Sequence, residues 1–329
     1  MKSTAATVNG KRKKRTLWEI IWLQRVLILM SIPLLLHRVL FSYFPLVGWV
    51  IAFQDFRPRF GLSVFEQFMQ SDWVGFANFA TLLDSSTLLG ERFIRAVINT
   101  IGQSFLTMLL GFICAIGLSL LLNEVRQLNV KRVVQNILYL PHFLSWVIVA
   151  SLASVALAMP VSGGIINDVL LRIGFISEPI HFLANPRYFW GIVAGTHLWR
   201  NLGWNTIIYL AAMTSIDPAL YESASIDGAS RYQKMWHITL TGIRPTIVIL
   251  LIMNAGWLMT SGFEIQWFLG HGVNVVRSEN IDIFILRYGI QMNNFGLATA
   301  AGIFRTGVSV LLLTCVNIIA GRLGQDRLF

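Results

Sequence analysis

The chain has 329 residues; 55% are aliphatic, aromatic or cysteine, only 13% are charged, mean hydropathy is +0.63 and the formal net charge is +10. Soluble domains carry about 25% charged residues, so the composition excludes an ordinary water-soluble globule and points to lipid. The positive excess is no nucleic-acid signature, because no folded basic domain holds it and its densest cluster, Lys11–Arg15, abuts an apolar run.

That cluster places a basic N-terminus, residues 1–23, in the cytoplasm. A bilayer-crossing helix needs about 20 mostly apolar residues, and lipid leaves the backbone no partner outside the helix. Six runs meet that need, at 24–53, 96–122, 133–159, 188–214, 245–269 and 297–320. They predict an all-α polytopic membrane protein with six transmembrane helices in one domain, 24–320, and a cytoplasmic tail, 321–329. The first run contains Pro33 and Pro45 and reads as a span plus an extension. It is long enough to cross and no small-residue cleavage site follows, so it is expected to stay as an anchor. With six spans, the segments on the N-terminal side hold 14 Lys plus Arg against 8 on the other side, which supports the orientation.

The largest outer segment, 54–95, contains Asp72-Trp73-Val-Gly75-Phe76-Ala-Asn78. Residues 62–70 read as a short amphipathic helix on the membrane surface, with Phe65, Phe68 and Met69 toward lipid. Residues 160–187 and 271–294 share that face. Cys114 and Cys315 sit in apolar runs and read as packing residues; the six histidines show no metal-ligand spacing. No phosphate-binding GxxxxGK[ST] loop, nucleophile or acid–base constellation appears, so no catalytic residue, metal or cofactor is assigned to this chain.

Polar residues in spans are costly and face a cavity or the bundle interior. The fourth run holds His197, Trp199, Arg200, Asn201 and Asn205; the fifth holds Asn254, Trp257 and Glu264. Trp and Asn together suit carbohydrate, by ring stacking and paired amide hydrogen bonds, and Arg200 suits a carboxylate. These eight residues are the candidate substrate pathway. Each also has a plainer reading, as an interfacial belt residue or a partner of protein groups.

Between these runs lies a polar segment, 215–244. Asp217 caps a helix start and Pro218 fits its first position, giving a helix over Pro218–Ile226. Asp227-Gly228 ends it, because Gly tolerates the left-handed turn. Ser230 caps a second short helix through His237, and Pro245 opens the next run. The expected shape is an L of two helices, with Glu222, Asp227, Arg231 and Lys234 exposed.

This segment resembles the EAA loop in permease subunits of bacterial binding-protein-dependent ABC importers. Tyr221, Glu222, Ser223, Ala224, Asp227, Gly228, Ala229 and Arg231 occupy it, with Ile238 and Leu240 in step. Ser223 stands where Ala is usual, and Thr241 where Pro is usual, which loosens the exit from the second helix. The resemblance implies a coupling loop that docks on a cytoplasmic ATPase subunit. Asp72–Asn78 is similar to a W-x-G-x-x-N-F element of sugar permeases, with Asn99-Thr100 beside it. Asn123-Glu124-Val125, Tyr139–Trp146, Gly163–Asn167 and Trp236–Thr239 resemble the oligosaccharide and polysaccharide branch. The branch implies a saccharide substrate, with acidic ones such as alginate included. It also implies a second homologous permease, two ATPase subunits that bind ATP and magnesium, and a periplasmic or extracellular solute-binding protein docking on the outer loops. The location implied is the bacterial inner membrane, in contact with lipid. Two other classes stay open: an ion-gradient-driven secondary transporter, which needs a buried acid such as Glu264, and a membrane scaffold tolerant of change at Trp199, Arg200 and Asn205.

Overall fold

A computed structural model describes Trp18 and residues 22–58, 61–260 and 262–322. The basic tract Lys11–Arg15 and the tail beyond Arg322 lie outside these residues. The chain divides into two units, one ending at Val50 and one beginning at Ile51. In the first, α1 (Arg25–Arg38) carries Pro33 inside it and is continued by a π-helical stretch, Val39–Tyr43, and by a 3-10 stretch, Phe44–Phe53, whose last three residues belong to the second unit. These 29 residues form a run long and apolar enough to cross a membrane, and no residue of α1 is buried.

The second unit is helical; among the described residues the only strand-like pairing is an isolated bridge between Gln54 and Trp73. Its outer segment forms α2 (Val64–Gln70) and α3 (Ala77–Leu83). Ser63 caps α2 reciprocally: its hydroxyl accepts from the Glu66 amide, while its own amide donates to the Glu66 carboxylate at 2.7 Å. That amide, and then the Ser63 hydroxyl, hold the Glu66 carboxyl below its ordinary pKa. Of the three apolar residues expected on one face of this helix, Phe65 and Met69 are exposed and Phe68 is half-buried. Asn78 turns inward and donates to the carbonyls of Ala52 and Gln54 at 2.9 and 3.1 Å, pinning the segment.

Helix α4 spans Leu88–Asn123, 36 residues, starting well before the expected position 96 because the Thr87 hydroxyl caps it on the Gly90 amide. The expected continuous run 133–159 is broken. It forms α5 (Leu128–Tyr139), a 3-10 turn over Leu140–Phe143 and α6 (Trp146–Ala156), bent by 103°. Pro141 tightens the turn and Ser145 caps a fresh helix start, so one helix becomes two. After α7 (Ile165–Arg172) comes α8 (Pro186–Met213), opened by Asn185 and Pro186. Helices α4 and α8 make the most extensive pairing in the fold.

Beyond α8 the chain forms α9 (Pro218–Ile226), α10 (Arg231–Gly242, with a π-helical stretch at Met235–Thr239) and α11 (Arg244–Gly256). The expected run 245–269 also ends early, at Gly256; non-helical backbone follows, with Gly262 at φ +84°, then α12 (Glu264–Leu269). Short α13 (Val275–Ser278) and α14 (Ile281–Phe284) lead through a π-helical stretch, Ile285–Gln291, to α15 (Phe295–Arg322). Among the described residues three helices are long and apolar enough to cross, or up to five if each bent pair counts as one span. Helix α8 has the length, with 28 residues, but polar residues interrupt it.

The broken backbone between α11 and α14 needs partners inside an apolar bundle. One face of α4 supplies them. Asn99 donates to the carbonyls of Val276 and Glu279, both at 2.9 Å, Thr100 accepts from the Ile281 amide at 3.0 Å, and Gln103 donates to the Arg277 carbonyl at 2.6 Å. Asn280 donates to the Gly262 carbonyl, and Asn274 to those of Leu183 and Leu269. Ion pairs Arg287–Glu279, at 3.0 Å, and Arg305–Asp282 tie the same stretch to its surroundings.

Replacing Asn99 with Leu keeps the branched shape and removes the donor to two carbonyls, that of Glu279 buried and that of Val276 partly so. We expect a loss of about 2–6 kcal/mol in stability, at about 1–3 per orphaned group, read by chemical denaturation in detergent; a change under about 0.5 kcal/mol would contradict the clamp.

Candidate functional site

The helix-turn-helix forms as its residues dictate. Asp217 accepts from the Ala219 amide at 2.9 Å and starts α9. At the far end Gly228 has φ +77°, while Ala229 N–H donates to Ala224 and Gly228 N–H to Ser225. This is the Schellman pattern, and it needs the left-handed conformation at Gly228. Ser230 then caps α10 reciprocally with Gln233. The second helix runs past the expected His237 to Gly242, by way of the π-helical stretch, and meets α11 at a 55° bend with Pro245 just inside it. The missing proline at Thr241 is therefore met by a bend at Ile243.

The two arms are stitched together. Tyr221 and Thr239 share a hydroxyl hydrogen bond of 2.9 Å, and the Lys234 ammonium donates to the Ser225 hydroxyl at 2.6 Å. Glu222, Asp227 and Arg231 are exposed as expected, and so is Gly228, whereas Lys234, expected to be exposed, is half-buried by this bond. The outer surface is also apolar: no residue of α9 is buried, Ile226 is 87% exposed and Tyr232 80%. Ser223 is exposed, while Ala224 and Ala229 are half-buried. Such a patch, beside charges, suits a protein partner.

A cavity of about 380 Å³ lies among α4, α8 and α11. It collects five of the eight pathway residues: His197, Asn201 and Asn205 from α8, and Asn254 and Trp257 from the end of α11. Trp199, Arg200 and Glu264 are left outside it. The helical period is the reason: positions 197, 201 and 205 repeat every four residues on one face, and 199 and 200 fall on others. Arg200 points toward the α5–α6 junction, donating to the Leu144 carbonyl at 3.0 Å with its guanidinium 4.3 Å from the Trp146 ring. Trp199 is about half exposed and Glu264 is exposed at the start of α12. Asn201 accepts from Arg200 and contacts the His142 ring at 3.2 Å, and His142 in turn stacks on Trp204.

Reading by residue type missed Ser104 and Thr107 of α4, and Thr260 and Gly262 of the broken segment, which complete the lining. Serine and threonine in apolar helices usually bond back to their own backbone, as Thr196 and Thr206 do here, so their presence carried no signal. Helix α8 reaches α5 at Gly203, where a Cβ would fall on the Leu138 carbonyl.

A family model described as "Binding-protein-dependent transport system inner membrane component" matches residues 107–327. The polygalacturonan/rhamnogalacturonan transport system permease protein YteP of Bacillus subtilis is 39% identical over 325 residues, 99% of this chain and 96% of that protein. Protein LplB of Bacillus subtilis is 36% identical over 303 residues, 92% of this chain and 91% of that one. In a crystal structure of a bacterial alginate ABC transporter in complex with an alginate pentasaccharide-bound periplasmic protein, one chain matches with a TM-score of 0.83. Its identity is 36%, and the match covers 95% of this chain and all of that one.

Gly203→Ala should push α8 from α5 and cost about 1–3 kcal/mol, the scale of overpacking. A lowered melting temperature of the detergent-purified protein checks it; an unchanged one would mean that the two helices separate freely.

Proposed function

This chain belongs to the family of binding-protein-dependent transport system inner membrane components, and we propose that it works as one transmembrane half of an ATP-driven saccharide importer, moving an oligo- or polysaccharide into the cell by alternating access. It is a non-catalytic permease subunit of the sugar-transporting ABC type. In the proposed assembly a second homologous permease completes the pathway, two ATPase subunits bind ATP and magnesium, and a solute-binding protein delivers the sugar from outside. The complex sits in the cytoplasmic membrane, six helices spanning, with the N-terminus and the α9–α10 loop inside. The acidic saccharides are the substrate class we favour: a relative at 39% identity is named for polygalacturonan and rhamnogalacturonan, and a structural neighbour for alginate.

One observation carries the reading. The two helices that wall the cavity on one side, α8 and α11, are joined directly by the stitched helix-turn-helix. A force on the loop therefore reaches both walls through short, stiff connections. The exposed residues Ile226, Tyr232, Glu222 and Asp227 are the contact proposed for the ATPase, with Gly228 setting the angle of the turn. Binding-energy differences between ATP-bound and ATP-free partners then bias which side of the cavity opens. The ion-gradient alternative needs a buried acid in its pathway; the described residues lining this cavity include no carboxylate, and Glu264 is exposed outside it.

The test is ATP hydrolysis by the complex reconstituted in liposomes with its partner subunits and saccharide-loaded binding protein. We expect saccharide-stimulated hydrolysis insensitive to dissipation of the ion gradient. Gly228→Val should cut the stimulation at least tenfold, since a β-branched residue at positive φ costs roughly 1–3 kcal/mol and reshapes the turn. Full stimulation by the variant would remove the coupling role; transport that needs a gradient and no ATPase would replace the importer reading.

A further inference from the structure

The outer element Asp72–Asn78 divides its side chains between two tasks. Asn78 goes inward, to the carbonyls of Ala52 and Gln54. The Val74 and Gly75 amides both donate to the Phe53 carbonyl, at 2.8 and 3.1 Å, and Gly75 makes the turn at φ +58°. Trp73 and Phe76 stay outside, 66% and 74% exposed.

Both exposed rings are held in place. Trp73 stacks on Phe53, with centroids 5.7 Å apart and planes 13° from parallel, and Phe76 meets Phe53 edge-on at 5.4 Å. Phe79 completes the group, 5.5 Å from Phe53 and 5.8 Å from Phe76. The four rings form one cluster, half-buried at Phe53 and Phe79 and open at Trp73 and Phe76. A fixed apolar patch of this kind marks contact with a membrane or a protein.

The level of the cluster decides between them. A Cβ on Gly296, the second residue of α15, would fall 2.6 Å from the Gln54 carbonyl oxygen and 2.8 Å from the Asn78 amide nitrogen. Phe56 packs edge-on against Phe295, the first residue of α15. The element is therefore seated on the N-terminal end of α15. At 1.5 Å per residue, the 28 residues of α15 are about 42 Å long. A bilayer measures about 30 Å across its hydrocarbon core and about 40–45 Å with its headgroup layers, so the ends of α15 reach those layers. Membrane proteins carry their belts of Trp at this depth.

We propose that Trp73 and Phe76 are a lipid anchor, whose partner is the boundary between headgroups and acyl chains in the outer leaflet. The indole N–H stays in the wet layer while its ring, and that of Phe76, lie against acyl carbons. Asp55, Arg57 and Asp72 are exposed beside them, so the element offers the polar part that an interfacial position also needs. Asn78 and Gly75 fix the backbone, and the two rings set the depth at which the end of α15 sits. The inference takes its inside–outside orientation from the reading above; lipid contact itself is measured without reference to transport.

The experiment uses the assembled complex in nanodiscs of phosphatidylglycerol and phosphatidylethanolamine, with loaded solute-binding protein present. The photo-crosslinker p-benzoylphenylalanine replaces Trp73 or Phe76 in turn. After irradiation, mass spectrometry of this subunit should show a phospholipid adduct from both positions, whereas the same crosslinker in place of half-buried Phe79 should react within the chain. Independently, the tryptophan emission that Trp73→Phe removes should be quenched about twofold more by lipids brominated near the headgroup than by lipids brominated near the chain end. Crosslinks to the binding protein or to another subunit in place of lipid adducts, or emission at Trp73 that neither brominated lipid quenches, would overturn the anchor. Saccharide-stimulated ATP hydrolysis in the same nanodiscs would then leave the importer reading standing; its absence would count against that reading separately.

Discussion

Everything in the second unit turns on how a repeatedly broken stretch of backbone survives within an apolar bundle. The breaks around the short helices α12 and α13 leave carbonyls and amides that one continuous helix would have paired for itself, and lipid offers nothing in exchange. Asn99, Thr100 and Gln103, on one face of α4, take that place, and Asn274 and Asn280 complete it from within the stretch. Their side chains act as substitute backbone. Once that is satisfied, Thr260 and Gly262 are held at the cavity, and α12 can pack its buried Ile265 and Leu269 against Val149 and Ala150 of α6. Without it, the segment would have to refold as helix and the cavity would lose a wall.

The helix-turn-helix follows the opposite logic. Its local signals suffice: a capping Asp, a Pro at the helix start, a Gly at the turn and a reciprocal cap. Very little of it is buried, so local bonds and the two side-chain stitches carry its shape. A segment organised in this way keeps its form while its surface stays free for a partner. Its apolar residues are exposed because none of the described residues covers them.

This contrast explains what could be read in the sequence. Every cap and turn from Asp217 to Ser230 was legible, because each depends on residues a few positions away. The α2 helix was legible from Ser63 and Glu66 for the same reason. The breaks at Leu144–Ser145 and after Gly256 were not, because hydropathy stays high across them and only capping chemistry or distant partners end the helices. Asn99 and Thr100 stand out in the sequence as a motif, but their role depends on contacts about 180 positions away along the chain. Among the pathway residues, composition drew in Trp199 and Arg200 with their neighbours, although the helical period already separated them from His197, Asn201 and Asn205. The polar span was found; its inward face needed the period applied to it.

Helix α4 carries two duties on adjoining faces. Asn99, Thr100 and Gln103 hold the broken segment, and Ser104, Thr107 and Gly111 border the cavity about a quarter-turn around. Residues that maintain the architecture and residues that border the cavity are thus different side chains on one rigid rod. A lineage can exchange the second set while the first stays unaltered, so the lining of the cavity can diverge among descendants with no loss of the common scaffold.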